Sequence, residues 1–430
     1  MEQKALILFV LGFLSATHSL PVDTSVELTK GAFGSCWGML GKEGEIIQDV
    51  VDYDPQLWLW LGDVVYADRF PLGPSGKTRV KSLYDEHRKY PPYDELTTKS
   101  QITGIWDDHD FNQNNGDKYN PTKEWVQQMF LDFLDEPKDS ARRSQPGLYT
   151  SFQYGSGDRS VRLIFIDIRY FADSRFFDGP NVDLLGEEQW TWLENELKTT
   201  TATFNFLISG TQLLPDDRII QENPPVYTRD RLLKLLSSTG VQGLVILSGD
   251  VHFAEFLKTP CNLGGMKYPL YEFTSSGMSH TFHDHAIFGD YFLEGFFPRT
   301  YTINRIVEKN FGTFEFDWSD VSDPSVSFAV KTLGGQDLMR SKIQRSQIVD
   351  QPEGKREDHE CDAATLTGSQ RFYGNIYNHL SDTTILGYYL FVINVLALLV
   401  FLVCFMIYYP ISKVMKYFKN RSNQLKIKIE

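Results

Sequence analysis

Two apolar runs in the chain end alike: QLWLWLGDVVYAD (56–68) and GLVILSGDVHFAE (243–255) each lead into Gly-Asp and then a side chain able to bind a metal. Both runs are continuous rather than alternating, which is the pattern of strands covered on both faces, as in parallel sheets flanked by helices. In open sheets of that kind ligands collect beyond the carboxyl ends of the strands. Asp63, Tyr66, Asp250 and His252 are therefore expected to converge at one sheet edge, and a metal site is the first reading.

Strand-like and helix-like segments alternate along the rest of the chain. Strands are predicted at 102–108, 160–169, 204–212, 241–250 and 268–277. Between them, 122–134 places Trp125, Met129, Phe130, Phe133 and Leu134 on one helical face, 186–198 does the same with Trp190, Leu193 and Leu197, and 229–237 stops at Gly240. Later segments (301–307, 312–318 and 326–331) alternate apolar and polar residues between turn signals, so the domain is expected to close with antiparallel strands. The pattern is lost over 350–382, which reads as a stalk.

The ends of the chain bear on location. Lys4, the apolar block 5–14 and the small and polar residues up to Ser19 have the layout of a secretory signal peptide over 1–19. Residues 385–409 carry no charge, are bracketed by Tyr388, Tyr389, Tyr408 and Tyr409, and are long enough to cross a bilayer core that needs about 20 helical residues. A buried core helix would not explain that bracketing. The tail, 410–430, has Lys413, Lys416, Lys419, Arg421, Lys426 and Lys428 against Glu430, so the expectation is a single-pass type I protein with a lumenal or extracellular domain over 24–349.

The tail holds six of the 42 basic and one of the 56 acidic residues, which leaves 36 against 55 and about −19 for the remainder. Such a surface repels nucleic acid, and no nucleic-acid partner is expected. Cys404 falls in the apolar span and Cys36, Cys261 and Cys361 precede it, an odd number for an oxidising compartment. The expected pair is Cys261 with Cys361, leaving Cys36 in FGSCWG free for a metal. Other hydrolase signatures fail: GPSGKT (73–78) has Pro71 where a phosphate-binding loop needs its first glycine, and there is no GxSxG.

The strand ends supply Asp63 and Tyr66, then Asp107, Asp108, His109 and Asp110, then Asp167 and Arg169, then Gln212, then Asp250 and His252. Singly, each has an ordinary explanation, such as a helix N-cap or a satisfied core polar group. Gathered at one edge, carboxylates and imidazoles would repel and desolvate at a cost of several kcal/mol unless a cation neutralised them.

Five separated motifs, GSC (34–36), GDVVY (62–66), WDDHD (106–110), DIRYF (167–171) and SGDVH (248–252), together resemble the PhoD-like branch of the calcineurin-type metallophosphoesterases over 30–343. The resemblance implies an α/β fold, an α/β/β/α sandwich of two sheets flanked by helices. It implies that Asp63 bridges two metals, with Cys36, Tyr66 and His252 on one and Asp108 and Asp250 on the other. Thiolate and phenolate suit Fe3+, and an oxygen-only site suits Ca2+, Mg2+ or Mn2+, in line with the family's use of iron with calcium. A hydroxide of lowered pKa would attack phosphorus, His109 would meet the leaving oxygen, and Arg169 would clamp the phosphate, unless it pairs with Asp167.

The chain departs from the family pattern in three ways: it lacks a separate β-rich amino-terminal domain, reads Ile168 where Thr is usual, and has Gln212 where the wider superfamily has a histidine ligand. HTFHDH (280–285) is expected to line the cleft as a loop, the alternative being that it adds a metal ligand. The function expected is metal-dependent hydrolysis of phosphate monoesters or diesters outside the cytoplasm. The alternative is a surface binding or receptor protein that keeps the fold without turnover.

Overall fold

The computed structural model describes residues 20, 22–38, 45–69, 74–174, 177–178, 181–216, 218, 224–281, 297 and 299–350. The chain divides into two units, Met1–Gly374 and Asn375–Glu430, and every described residue belongs to the first. The expected signal peptide, apolar span and tail, and the stalk beyond residue 350, lie outside the described residues. Among the described residues no helix is long and apolar enough to cross a membrane.

Two mixed sheets are built from strands that the hydrophobic pattern largely marks. The first takes β1 (Lys30–Gly34), β2 (Leu57–Leu61), β3 (Gln101–Ile105), β11 (Phe311–Asp317), β12 (Ser325–Lys331) and β13 (Asp337–Gln344) in the order β13-β12-β11-β1-β2-β3. The second takes β4 (Thr150–Tyr154), β5 (Val161–Phe165), β6 (Phe204–Ile208), β7 (Leu244–Ser248), β8 (Ala254–Lys258), β9 (Tyr271–Ser275) and β10 (Thr302–Ile306) in the order β10-β8-β9-β7-β6-β5-β4. At the heart of each sheet the strands run parallel: β1 with β2 and β3, and β5 with β6, β7 and β9. Every residue of β2, β6, β7 and β9 is buried, and the first three are almost wholly apolar, as central parallel strands are. The edge strands β4 and β10 are only part-buried.

The two sheets meet face to face through aromatic rings. Phe206 of β6 lies 5.4 Å from Phe314 of β11 and 5.7 Å from Phe328 of β12, and Phe273 of β9 stacks on Phe328 at 3.9 Å. Helices cover the outer faces. On the first sheet these are α1 (Ile46–Tyr53), α2 (Lys77–Arg88), α3 (Pro91–Lys99) and α4 (Lys123–Phe133), with Trp60 of β2 against Tyr93 of α3 and Tyr93 stacked on Phe133 of α4. The second carries α5 (Gly186–Thr199), whose Glu196 pairs with Arg162 of β5, and α6 (Val226–Thr239), closed by Gly240 at φ 68°.

The expected helices at 122–134, 186–198 and 229–237 are α4, α5 and α6. The face of α4 differs from expectation: Val126, Phe130, Leu131 and Phe133 are buried, whereas Trp125 and Met129 lie at the margin and Lys77 sits over the Trp125 ring. The late strands are β10 to β12, each paired antiparallel with a neighbour.

Candidate metal centre

The carboxyl ends of β1, β2, β3 and β7 deliver four loops to one place, and two glycines permit the approach. A Cβ at Gly249 would lie 2.4 Å from the Leu61 carbonyl oxygen and 2.5 Å from Ser35 Oγ, so only glycine lets the β7 loop of one sheet touch the loops of the other. At Gly62, with φ +90°, a Cβ would lie 2.4 Å from that of Asp107. Cys36, Asp63, Asp250 and His252 themselves have φ of 59°, 54°, 76° and 59°. Left-handed backbone at a non-glycine residue costs about 1–2 kcal/mol and clusters where function requires a particular side-chain direction. Backbone bonds lock the loops together, Trp37 N–H donating to the Asp63 carbonyl at 2.8 Å and Gly249 N–H to Gly210 at 3.0 Å.

Three groups of side chains each bring their ligand atoms within 4.8 Å of one another: Cys36, Asp63 and His252; Asp63, Asp108 and His109; and Asp63, Asp107, Asp108 and Asp250. Asp63 belongs to all three. Around it, Cys36 Sγ lies 3.6 Å from Asp63 Oδ2, the Tyr66 hydroxyl 3.4 Å from the same oxygen, and His109 N–H donates to Asp63 Oδ1 at 3.2 Å. Ser276 Oγ sits 3.0 Å from Cys36 Sγ and accepts the His252 N–H at 2.9 Å. Thr211 donates to Asp250 at 2.7 Å, and Asn115 N–H to Asp108 at 2.6 Å.

All the residues expected to hold metal, Cys36, Asp63, Tyr66, Asp108, Asp250 and His252, are thus placed in one cluster. His109 joins them, but its ring is held from outside: Nδ1 lies 2.8 Å from Asp68 Oδ1 and Nε2 is 4.0 Å from Asp108. Arg169 is beside the cluster too, though its partner is Asp107, to which Nε donates at 2.5 Å. The suggested pair with Asp167 does not form. Asp167 instead accepts backbone N–H groups of Leu148, Arg169 and Tyr170, and so shapes the loop that carries Arg169. Gln212 turns away as well and donates to Glu255 and Thr274, within a buried network that holds Glu255 between Arg218 and Arg305. Of HTFHDH, His280 is described: it lies beside Tyr66 and His252, with ring centroids 5.1 and 4.5 Å away, while 282–285 lie outside the described residues.

Asp107 carries no role in the sequence reading beyond its place at a strand end, and Asp68 is not singled out there. An acid after a strand reads as an N-cap, and the signal for Asp68 was its place at the end of the same apolar-to-Gly-Asp run. Cys36 is free and buried, and Cys261 is disulfide-bonded to a partner outside the described residues.

The protonation of the cluster fits bound cations. Two carboxylates about 4.8 Å apart repel by about 3 kcal/mol at an effective dielectric constant near 20, and of the four grouped here Asp107 is paired with Arg169. Burial, then the neighbouring carboxylates, raise Asp63 well above the usual range. Burial also raises Asp107, more than Arg169 lowers it. Asp108 is held low because His109, Arg169 and the Asn115 N–H outweigh its burial. The Cys36 thiol is pushed up to about 12, chiefly by burial. Among the described residues, Asp107 Oδ2 and Asp108 Oδ1 are buried with no hydrogen-bond donor, as a carboxylate oxygen facing an ion would be. Asp63 is shared by a sulfur-nitrogen-oxygen group with Cys36 and His252 and an all-oxygen group with Asp107, Asp108 and Asp250, and each group could hold a metal ion.

Comparison with known proteins decides the family. The sequence model of the PhoD-like phosphatase family matches residues 32–287, more than half of the 430. The chain belongs to the PhoD-like phosphatase family. That match includes Cys36, Asp63, Tyr66, Asp107, Asp108, His109, Arg169, Asp250 and His252. The chain is 28% identical over 157 residues to alkaline phosphatase D of Bacillus subtilis (strain 168), a stretch covering 30% of this chain and 26% of that relative. A solved structure of PhoD superposes with a TM-score of 0.52 at 17% identity, covering 85% of this chain and 79% of that one, and so shares the fold. A 5'-nucleotidase precursor from Thermus thermophilus reaches a TM-score of only 0.32 at 11% identity, covering 84% and 59%, and carries no weight here.

Proposed function

We propose that this protein is a metal-dependent hydrolase of phosphate monoesters, diesters or both, acting in the secretory pathway or at the cell surface and anchored by the apolar segment 385–409. The observation that carries the reading is the sharing of Asp63 between a thiol-imidazole group and an all-carboxylate group, in a chain of the PhoD-like phosphatase family. The name of the Bacillus relative supports a phosphatase.

Cys36, Tyr66, His252 and Asp63 would hold one ion, with a thiolate and a phenolate suited to Fe3+. Asp63, Asp108 and Asp250, joined by Asp107, would hold a second, hard ion such as Ca2+, Mg2+ or Mn2+. The chemistry that bound ions add there is the activation of water at neutral pH and the screening of charge on the phosphoryl oxygens. Arg169, its plane fixed by Nε on Asp107, would direct its two terminal nitrogens at a phosphate. His109, oriented by Asp68, would give a proton to the departing oxygen.

A binding or receptor protein without turnover would have no use for a buried carboxylate, Asp68, orienting His109. The test is to purify the full-length protein with iron and calcium supplied, then assay aryl-phosphate turnover and the visible spectrum. The reading expects turnover with a charge-transfer band that weakens in Cys36→Ser and Tyr66→Phe. Loaded protein with no turnover on monoesters or diesters would leave the receptor reading in its place.

A further inference from the structure

Asp110 is the one acid of the WDDHD motif that enters none of the groups able to hold a metal. It is nevertheless fully buried, in a cluster already crowded with carboxylates. Every contact it makes is to a donor. Oδ1 accepts the backbone N–H of Val64 at 3.1 Å, that of Val65 at 3.2 Å and the Tyr84 hydroxyl at 3.1 Å. Oδ2 accepts Val64 at 3.3 Å and the backbone N–H of Asp107 at 3.4 Å.

These donors belong to two different chain segments. Val64 and Val65 follow Asp63 on the loop that leaves β2, and Asp107 begins the loop that leaves β3. The two strands are parallel neighbours, with Leu61 opposite Ile105. Once the strands end, no ladder bond fixes one loop against the other, yet the ligand atoms of Asp63, Asp107 and Asp108 must meet within a few ångströms. The left-handed turn at Gly62 and Asp63 exposes the Val64 and Val65 N–H groups, and such a concavity of backbone donors binds an anion. Asp110 fills it from the neighbouring loop, and Tyr84 of α2 closes the remaining side.

We propose that Asp110 is a positioning residue that clamps the β2 and β3 loops together, with Tyr84 as its outer support, and so sets the spacing of the metal-ligating carboxylates. This rests on the metal-dependent reading above. Both carboxylate oxygens accept, so asparagine, with one acceptor oxygen, must turn its NH2 group on at least one N–H donor. Groups that orient metal ligands typically contribute 10- to 100-fold in affinity.

The experiment measures the dissociation constant for Ca2+ by competition with a chromophoric chelator in full-length wild type, Asp110→Asn and Tyr84→Phe, together with thermal unfolding of each after metal stripping. The expected result is about 10- to 100-fold weaker Ca2+ binding in Asp110→Asn and about threefold in Tyr84→Phe. A purely structural role would lower the unfolding temperature of stripped and loaded protein alike and leave the dissociation constant unchanged, and that outcome overturns the proposal. If Asp110→Asn does not fold, Tyr84→Phe decides: unaltered Ca2+ affinity in that variant overturns the clamp. Wild type that binds no Ca2+, iron or other divalent ion would instead remove the metal-dependent reading itself.

Discussion

Replacing Asp68 by Asn should slow the reaction in proportion to how much the leaving group needs a proton. Asp68 is buried and its carboxylate lies 2.8 Å from His109 Nδ1, a contact that fixes which ring nitrogen faces the cluster. Hydrogen bonds to charged groups contribute about 1.5–3 kcal/mol net, which is on the order of 10- to 100-fold in rate at about 1.4 kcal/mol per factor of ten. The assay compares kcat/KM for an alkyl phosphate, whose alkoxide must be protonated as it leaves, with that for p-nitrophenyl phosphate, whose leaving group departs as a stable anion. Asp68→Asn should lose the full factor on the alkyl ester and about fivefold or less on the aryl ester. His109→Asn should show the same order with a larger loss, about 100- to 10,000-fold, while keeping its metals. Equal losses on both esters, or metal lost in step with activity, would refute the reasoning and make His109 a ligand, as its place beside Asp63 and Asp108 also permits.

Arg169→Lys should raise KM by about tenfold or more, since a single ammonium cannot both pair with Asp107 and present two donors to a phosphate; unchanged KM would remove the clamp. Burial raises Glu272 from 4.5 to about 7 in the folded protein. Its contribution to stability is therefore present below about pH 4.5 and lost as pH rises through about 7. Denaturation of metal-stripped protein at pH 5 and 8 should show wild type losing about 2.5 kcal/mol more stability than Glu272→Gln; equal losses in the two would contradict this. Peptide mapping should link Cys261 to Cys361, and a link to Cys404 would contradict the expected pairing.

How far the fold could be read from the sequence depended on burial. The runs behind β2, β6 and β7 were legible because both faces of each strand are covered, so apolar residues dominate with at most one polar residue in each, whereas β9 is as fully buried but carries Glu272, Thr274 and Ser275 among its five residues. Strand β13 was not, since DLMRSKIQ is a part-buried edge with charges throughout. Helix α2 hides for a related reason: only Val80, Tyr84 and His87 of its twelve residues are buried. At the site, the motif residues could be named because each follows a strand. Their partners could not, because they come together only through folding: Arg169 meets Asp107 across 62 positions and His109 meets Asp68 across 41. No local spacing encodes such pairs, which is why Asp167, two residues away, stood as the alternative partner for Arg169 while Asp107 did not. Gln212 likewise stands near the sheet edge in sequence but is drawn to Glu255 by a buried charge network that periodicity does not reveal.

The central claim is that Asp63 serves two ions at once, and metal stoichiometry tests it most directly. Full-length wild type, Cys36→Ser, Asp108→Asn and Asp63→Asn would be loaded with iron and calcium, passed over a desalting column and measured by elemental analysis. Two ions per chain in wild type, loss of iron alone in Cys36→Ser, loss of the second ion alone in Asp108→Asn and loss of both in Asp63→Asn is the predicted pattern. An Asp63→Asn variant that retained both ions, or a wild type that held only one, would contradict it.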